Sequence, residues 1–241
     1  MRSWPCPTPD PRAARAAVVD VVRRTPVLSS RTLSERCGAT VALKAENLQR
    51  TGSFKLRGAL AKLAALGDGC APGVVTGSAG NHGQALAYAA RARGVHCEVF
   101  MPATAPIAKV EATSALGAEV HLAGEHVHDA LLAAQEQADA EGLHLVHPYE
   151  DPDVVAGQGT IGLELLEDVP DLAAVVVPVG GGGLASGIAV AIKAERPDVR
   201  VVGVQAEACA PVPAIAPLLG LVTSRETASR ADESPCRSWC R

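Results

Sequence analysis

Short apolar, β-branched runs alternate along this chain with alanine- and leucine-rich segments of helical length, and this alternation strongly constrains the fold. The runs are VALKAE, GVVTGS, HCEVFMP, AEVHLAG, LHLVHP, AAVVVPV and VRVVGV, which begin at residues 41, 73, 96, 118, 143, 173 and 199. Segments such as QALAYAARARG and EHVHDALLAAQEQADAEG lie between them. The pattern predicts βαβ units, and therefore an α/β fold with mostly parallel sheets covered by helices.

Composition narrows the range of partners. The 241 residues are 48% hydrophobic, which supports a real core, while a net charge of −4 and 2% aromatic residues argue against nucleic acid. No stretch offers the ~20 apolar residues of a membrane span, and the N-terminus has no apolar leader. We therefore expect a cytoplasmic protein, with reduced cysteines, that binds a small polar or zwitterionic molecule.

Histidines at two places invite a metal interpretation. His126 and His128 are two residues apart on a predicted helix, where side chains point away from each other, and His144 and His147 lie in or beside a predicted strand. Neither pair has a typical ligand spacing, so no metal site is expected.

The segment TGSFKLRGAL, residues 51–60, places a lysine in the first turn of a predicted helix. If Ser53 caps this helix, the positive helix end and the nearby Arg57 both disfavour an ammonium at Lys55. Both effects lower the pKa of the lysine and increase its neutral amine, the form that attacks a carbonyl carbon. A solvated lysine without a function is the alternative at this point.

Four consecutive glycines, Gly180 to Gly183, follow a predicted strand that ends at Val179 and precede a helix that begins near Leu184. Their backbone N–H groups form an anion site, most naturally for a phosphate. The spacing Gly180-x-Gly182-x-x-Ala185 also fits a dinucleotide fingerprint, with Glu207 as its ribose-binding acid. A turn that serves only close packing is disfavoured, because four glycines are entropically expensive.

A third loop, SAGNHG at residues 78–83, also lies between a predicted strand and a predicted helix. Small side chains and exposed amides suit a carboxylate, and Asn81 and His82 supply directed hydrogen bonds. The alternative is an ordinary turn capped by Ser78 or Asn81. Together the three loops describe a site where a phosphorylated aldehyde cofactor meets an amino acid.

Longer motifs resemble the fold-type II pyridoxal-phosphate enzymes, specifically the threonine/serine dehydratase (threonine ammonia-lyase) group that also includes serine racemase. The motifs are RRTPVLSSRTL, LKAENLQRTGSFKLRGAL, SAGNHGQALAYAA, MPATAPIAKV, GAEVHLAG, DPDVVAGQGTIGLEL and VPVGGGGLASGIAVAIK. They cover roughly residues 23–205 in the family's order. The resemblance implies a two-domain, tryptophan-synthase-β-like α/β fold, pyridoxal 5'-phosphate as cofactor, and threonine or serine as substrate.

Carried over residue by residue, the resemblance implies that Lys55 is the Schiff-base lysine and the general base, and that Phe54 packs beside the cofactor. Asn81 would hydrogen-bond the phenolic oxygen of the cofactor. The phosphate loop would consist of Gly180, Gly181, Gly182, Gly183 and the amide of Leu184. The substrate-carboxylate loop would consist of Ser78, Ala79, Gly80, Asn81 and His82.

The same resemblance implies that residues 1–72 and 150–210 form a large domain and residues 73–149 a small mobile domain. The implied reaction is α,β-elimination of threonine or serine to 2-oxobutanoate or pyruvate and ammonia. Ala79 favours a dehydratase over a racemase. Racemisation needs a second acid/base on the opposite face of Cα, and racemase-type members carry a serine at this place.

The resemblance weakens after Val204. The family's serine turn, whose hydroxyl pairs with the pyridine nitrogen, is not found there, and Gln205 and Pro211 stand where racemase-like members carry metal-binding acids. Residues 211–241 show no apolar period, so we expect an irregular tail. The chain resembles a truncated family member whose open surface would favour aggregation or a partner chain, such as a second copy in a homo-oligomer. A catalytically silent, cofactor-binding relative is the alternative to an active lyase.

Overall fold

The computed structural model of the chain describes residues 8–206 and 222–223. Its helices of at least seven residues are α1 (Pro11–Val18), α2 (Arg31–Cys37), α3 (Lys55–Leu66), α4 (Asn81–Arg93), α5 (Ile107–Ala115), α6 (Val127–Glu141), α7 (Pro152–Asp168) and α8 (Gly183–Glu195). Its strands are β1 (Val27–Ser29), β2 (Ala42–Lys44), β3 (Val74–Gly77), β4 (Cys97–Met101), β5 (Glu119–Leu122), β6 (His144–Leu145), β7 (Ala174–Pro178), β8 (Arg200–Val204) and β9 (Val222–Thr223).

The strands form two parallel sheets and one antiparallel pair. One sheet has the strand order β5-β4-β3-β6, the second has the order β7-β8-β9, and β1 pairs antiparallel with β2. Every strand predicted from the apolar runs is present, and the mostly parallel α/β fold is confirmed. The short strand β1 was not predicted.

Strand burial departs from the prediction in the second sheet. All four residues of β3 are buried, as a strand between helical layers requires. In β7, by contrast, Val175 and Val177 are buried while Val176 is 67% exposed. Continuous apolar runs predict strands that are buried on both faces of a sheet. This prediction is wrong for β7, which alternates like a strand with one covered face.

Two strand-to-helix connections determine where the site lies. Strand β3 leads through Ser78 and Ala79 into α4, and β7 leads through the glycines into α8. In parallel sheets these connections follow the carboxyl ends of strands, where ligands bind. The predicted substrate loop and phosphate loop both occupy such positions.

The helix that begins with Lys55 is held by close packing on α7. A Cβ on Gly157 would collide with backbone atoms of Arg57 and Gly58, so the two helices approach at a distance that only glycine allows. Residues of α3, including Leu56, Ala59 and Leu63, belong to a buried cluster that continues into β3 and α4. The first turn of α3 is therefore fixed by packing on two sides.

The described residues bear on the expectations about membrane spans, cysteines and the C-terminal tail. Within the described residues, no helix has the length and apolar character that a membrane span requires. Cys37, Cys70 and Cys97 are the cysteines of this part, and their thiols are free. Of the predicted irregular tail, only Val222–Thr223 is described, and it pairs with β8; the rest, with Pro211, lies outside the described residues.

Candidate active site

Helix α3 begins at Lys55, one residue later than the predicted cap at Ser53 would place its start. The N-cap is Phe54, and the Ser53 hydroxyl accepts only a long bond of 3.4 Å from the Lys55 amide. Lys55 is half-buried as a residue, and its amine is largely withdrawn from water, where Nζ donates to the carbonyl oxygen of Pro148 at 2.7 Å. Burial lowers the pKa of Lys55 to about 8.

The predicted cause of this lowered pKa is corrected by the structure. Arg57 is fully buried, but its guanidinium is neutralised by Glu46 at 2.8 Å and Glu164 at 2.6 Å. Its charge is therefore compensated locally and does not act as a repulsive neighbour of Lys55. Desolvation, rather than Arg57, accounts for the lower pKa of Lys55.

The glycine loop packs against an aromatic ring that the sequence analysis did not single out. A Cβ on Gly181 would collide with the Tyr149 ring, and one on Gly183 would lie 3.1 Å from the backbone of Tyr149. Gly182 has φ +91°, a conformation that favours glycine. Close packing therefore explains part of this glycine run, contrary to the prediction.

Gly180 is different, because a Cβ there would meet nothing within 4 Å. The N-cap of α8 is Gly182, which makes no side-chain cap bond to the first-turn N–H groups. Phe54 and Leu184 both pack against the apolar cluster of β7 and α8. The loop thus offers open space and backbone donors beside Phe54, which suits an anion such as a phosphate.

A Gly181→Ala substitution is expected to destabilise the chain by about 1–3 kcal/mol, because its methyl group would overlap the Tyr149 ring. Urea denaturation of the cofactor-free chain measures the change. The matched control is Gly180→Ala, which should leave the free energy of unfolding nearly unchanged but weaken phosphate-ester binding. Equal destabilisation by the two variants would contradict the packing argument.

The predicted substrate loop is only partly exposed. The Ser78 side chain is buried and accepts a bond of 3.3 Å from the Gly80 amide, so it stabilises the turn. The N-cap of α4 is Gly80, however, so the alternative of a cap at Ser78 or Asn81 is wrong. Ala79 and Gly80 are half-buried, and Asn81 is exposed at the start of α4. The loop therefore leaves the Asn81 side chain available for a ligand.

The His82 side chain does not face the candidate ligand space, as a substrate-binding residue would, but points into the protein. Its ring is buried, and Nε2 lies 3.0 Å from the carbonyl oxygen of Val146. Burial and the charge of Lys55 lower the pKa of His82 to about 3, so the ring is neutral. Because a carbonyl only accepts, Nε2 carries the proton and Nδ1 does not.

One segment, residues 146–149, connects the three predicted loops. Val146 accepts from His82 of the substrate loop, Pro148 accepts from Lys55, and Tyr149 packs on the glycine loop. This segment follows β6, which neighbours β3 in the sheet. Its position after a predicted strand was the signal that could have marked it as part of the site.

Lys109 is a second residue that the sequence analysis missed. Its Nζ lies 3.8 Å from the position that a Cβ on Gly80 would take, so an exposed cation stands beside the substrate loop. The residue is on α5, in the motif PIAKV, and only the fold brings it to Gly80. A lysine at this place attracts a carboxylate.

The histidines considered for a metal site have other roles. His126 is the N-cap of α6, and the His147 ring accepts from the backbone amide of Glu150 at 3.0 Å. Within the described residues, no group of three or more candidate ligands is placed to hold a metal ion. Gln205 lies near the glycine loop instead, where its side chain donates to Gly180 at 3.4 Å.

The fold and the site together define an α/β protein with a desolvated lysine and a glycine-rich anion cradle around one loop segment. This donor set fits pyridoxal phosphate, because the amine can bond an aldehyde carbon and the open backbone at Gly180 can receive a phosphate. A family model described as pyridoxal-phosphate dependent enzyme matches residues 18–234. The chain belongs to this family, which decides against the dinucleotide-binding alternative; Glu207 lies outside the described residues.

Known relatives agree with this membership. The chain is 50% identical over 199 residues to an L-threonine ammonia-lyase of Thermotoga maritima, which covers 82% of this chain and 50% of that protein. It resembles the structure of threonine deaminase isoform 2 from Solanum lycopersicum at a TM-score of 0.82 and 36% identity, over 88% of this chain and 60% of that one. The structure of maize serine racemase aligns at a TM-score of 0.84 and 34% identity, over 92% of this chain and 68% of that one.

These relatives also show that the match is partial. The chain spans about half the length of the curated relatives it matches, between 47% and 59% of each. The fold-type II architecture is nevertheless clear over the described residues, and the matched part contains Lys55, the substrate loop and the glycine loop.

Proposed function

We propose that the chain binds pyridoxal phosphate at Lys55 and catalyses α,β-elimination of L-threonine, and of L-serine as a second substrate, to a 2-oxo acid and ammonia. The observation that carries this proposal is the Lys55 amine, whose pKa is lowered to about 8. This amine bonds Pro148, and the next residue, Tyr149, packs against the glycine loop. The cofactor, when bound, supplies an aldehyde carbon and an electron sink for the carbanion at Cα.

Lys55 has two successive roles in this proposal. Its neutral amine bonds the cofactor carbon and, once displaced by the substrate amino group, removes the proton from Cα as a general base. At pH 8 roughly half of an amine with this pKa is neutral, against well under a hundredth for an ordinary lysine. Burial of Lys55 therefore supplies the protonation state that the reaction requires.

The remaining residues bind and orient. The backbone of Gly180–Gly183 and the Leu184 amide hold the phosphate, Phe54 packs beside the cofactor, and Asn81 hydrogen-bonds its phenolic oxygen. The packing of Phe54 and Leu184 on one apolar cluster supports their common position. These roles rest on the family resemblance together with the exposure of Asn81 and the open space at Gly180.

The substrate carboxylate is assigned to the loop Ser78 to His82, through its backbone amides. The loss of water from the substrate and the later addition of water to the released enamine leave 2-oxobutanoate and ammonia as the products from threonine. Closure of residues 73–149 over the substrate would keep water away from the reaction. The sheet β5-β4-β3-β6 lies within this part of the chain, which supports its movement as a unit.

A Lys109→Ala substitution is expected to raise the KM for threonine by up to about fivefold with little change in kcat, because an exposed charge contributes at most about 1 kcal/mol. Steady-state kinetics at low salt measure the effect. Lys193→Ala is the control, since Lys193 lies at the far end of α8 from the glycine loop. An unchanged KM, or an equal change in the control, contradicts a role for Lys109.

Ala79 supports elimination rather than racemisation, because a methyl group cannot carry a proton to the opposite face of Cα. The competing activity is tested by incubating the cofactor-loaded protein with L-serine and measuring D-serine and pyruvate separately. Pyruvate should form well ahead of D-serine. Interconversion of the two serine enantiomers as fast as pyruvate formation would reject this assignment.

The proposed function itself is tested in a single turnover. Purified chain is loaded with pyridoxal phosphate, mixed in excess with L-threonine, and the 2-oxobutanoate is measured. Formation of 2-oxobutanoate supports the lyase. A borohydride-reducible bond to Lys55 without any product would instead identify a catalytically silent, cofactor-binding relative.

A further inference from the structure

The carbonyl group of Val146 is held by two side chains where a sheet ladder stops. Strand β6 ends at Leu145, and the Val146 amide makes one more bond, of 2.8 Å, to the carbonyl oxygen of Val75. The Val146 oxygen then accepts from Thr76 Oγ1 at 2.8 Å and from His82 Nε2 at 3.0 Å. These two donors replace the strand partner that would otherwise fix the chain direction.

Two residues further on, the Pro148 carbonyl accepts the bond from Lys55. Proline has no amide hydrogen, so Pro148 cannot be held by a bond from its own backbone N–H. Its φ is fixed, and it restricts the preceding residue to extended conformations. The direction of its carbonyl therefore depends on how the neighbouring residues are held. On the far side, His147 Nδ1 accepts from the amide of Glu150 at 3.0 Å. Val146 fixes the near side. The place of the Lys55 amine is thus set by bonds on both sides of Pro148.

The His82 ring contributes to this arrangement through one nitrogen. Its buried Nδ1 has no hydrogen-bond partner among the described residues, while Nε2 holds Val146. An unsatisfied buried acceptor costs free energy that an apolar side chain of the same size would not. The bond to Val146 is therefore the polar interaction that this buried ring makes within the described chain.

We propose that His82 is a positioning residue, which acts through Val146 and Pro148 to hold the Lys55 amine where the cofactor carbon bonds it. This inference rests on the proposed role of Lys55 as the cofactor lysine. It differs from a role as a substrate ligand, because the side chain is directed to the backbone of residues 146–149. The Thr76 hydroxyl supports the same carbonyl and shares the role.

The test compares His82→Leu, His82→Gln and Thr76→Val with the wild-type chain. Leucine removes the donor at similar volume, glutamine retains an N–H at the reach of Nε2, and valine removes only the hydroxyl. The first readout is the pKa of Lys55 in the cofactor-free chain, followed by NMR after ¹³C-methylation and assigned with Lys55→Arg. The second is the rate at which pyridoxal phosphate forms a borohydride-reducible bond.

His82→Leu is expected to change the pKa of Lys55 and to slow cofactor bonding on the order of 10²-fold, as a misplacement of about 1 Å does. His82→Gln should restore both, and Thr76→Val should show a smaller change in the same direction. Wild-type values in a folded His82→Leu, or equal defects in the leucine and glutamine variants, would overturn the proposal.

The same three variants also test the proposal if His82→Leu does not fold or if the wild-type chain does not bond the cofactor. If His82→Leu does not fold, an unchanged Lys55 pKa in Thr76→Val overturns the proposal, and a shifted one supports it. If the wild-type chain forms no bond with pyridoxal phosphate, the proposed function fails, but the Lys55 pKa in the cofactor-free variants still tests the positioning by His82.

Discussion

Replacement of Lys55 by alanine is expected to abolish the borohydride-reducible bond with pyridoxal phosphate and to lower the rate of threonine elimination by about 10⁴-fold or more. In the proposed mechanism the variant loses the amine that bonds the cofactor carbon and the base that removes the Cα proton, and a positioned base alone contributes about 10²–10⁴-fold. Single-turnover formation of 2-oxobutanoate measures the loss. The structure predicts so large an effect because the Lys55 amine is buried and held at Pro148.

The pH dependence of cofactor bonding follows from the same residue. Only the neutral amine attacks the aldehyde, and the pKa of Lys55 is lowered to about 8. The rate of bonding should therefore rise as the pH increases toward about 8 and level off above it. With an ordinary lysine, the rate of bonding would continue to rise over more than two further pH units.

Two control variants make the Lys55 prediction specific. Lys55→Arg retains a long cationic side chain without the reactive amine and should be as inactive as Lys55→Ala. Lys193→Ala removes an exposed lysine of α8 and should retain bonding and turnover. Substantial product from Lys55→Ala, or a bond that persists in it, would show that another group carries the reaction.

The fold was largely predictable because its signal is local. Parallel strands such as β3 and β4 are short apolar runs between turn residues, and each is followed by a helix-forming segment of sufficient length. Strand β1 lacked that signal, since it contains three residues and two of them are exposed. The alternating exposure of β7 was hidden by a run of identical valines, whose pattern cannot distinguish a covered face from an open one.

The candidate site was predictable where the chemistry lies within one loop. Lys55 and the glycine run were found because each lies at the start of a helix, and the start of a helix can be recognised from the neighbouring residues in the sequence. The role of Arg57 was not predictable, because its partner Glu164 is 107 residues away. The bond from His82 to Val146 spans 64 residues in the same way. Such pairings are decided by tertiary packing.

The buried charges around Arg57 form an ionic cluster that is costly to disrupt, because removal of one partner leaves an uncompensated charge inside the protein. Arg57 bonds Glu46 and Glu164, and Glu164 also pairs with Lys44 at 2.7 Å. Burial opposes the charge of Glu164, but the bonds from Arg57 and Lys44 prevail, so the pKa of Glu164 is lowered. Stability from this carboxylate is present above its unfolded pKa and is lost as the pH falls.

An Arg57→Met substitution is expected to lower the free energy of unfolding by about 3–5 kcal/mol at neutral pH, because it removes the cation that pairs with Glu46 and leaves Glu164 with Lys44 alone. Urea denaturation measures the loss. The pKa of Glu164 should then rise relative to wild type, because only Lys44 still opposes the effect of burial, so the deficit should shrink as the pH is lowered and the carboxylate is protonated. A second change, Glu46→Gln, should recover part of the loss by removing one uncompensated charge.

The control for this prediction is the exposed pair of Arg196 with Asp198, which lies 2.8 Å apart on the surface. Arg196→Ala should change the free energy of unfolding far less than Arg57→Met does, because both charges of this pair are solvated. Equal losses in Arg57→Met and Arg196→Ala would contradict the importance of the buried cluster.

The same variant also separates the two explanations for the reactivity of Lys55. If desolvation alone lowers the pKa of Lys55, the folded fraction of Arg57→Met retains that pKa and loses cofactor bonding only in proportion to unfolding. If the guanidinium charge acted on the amine, as the sequence suggested, its removal would raise the pKa of Lys55 in the folded protein. Because Glu46 and Glu164 already neutralise Arg57, we expect the first result.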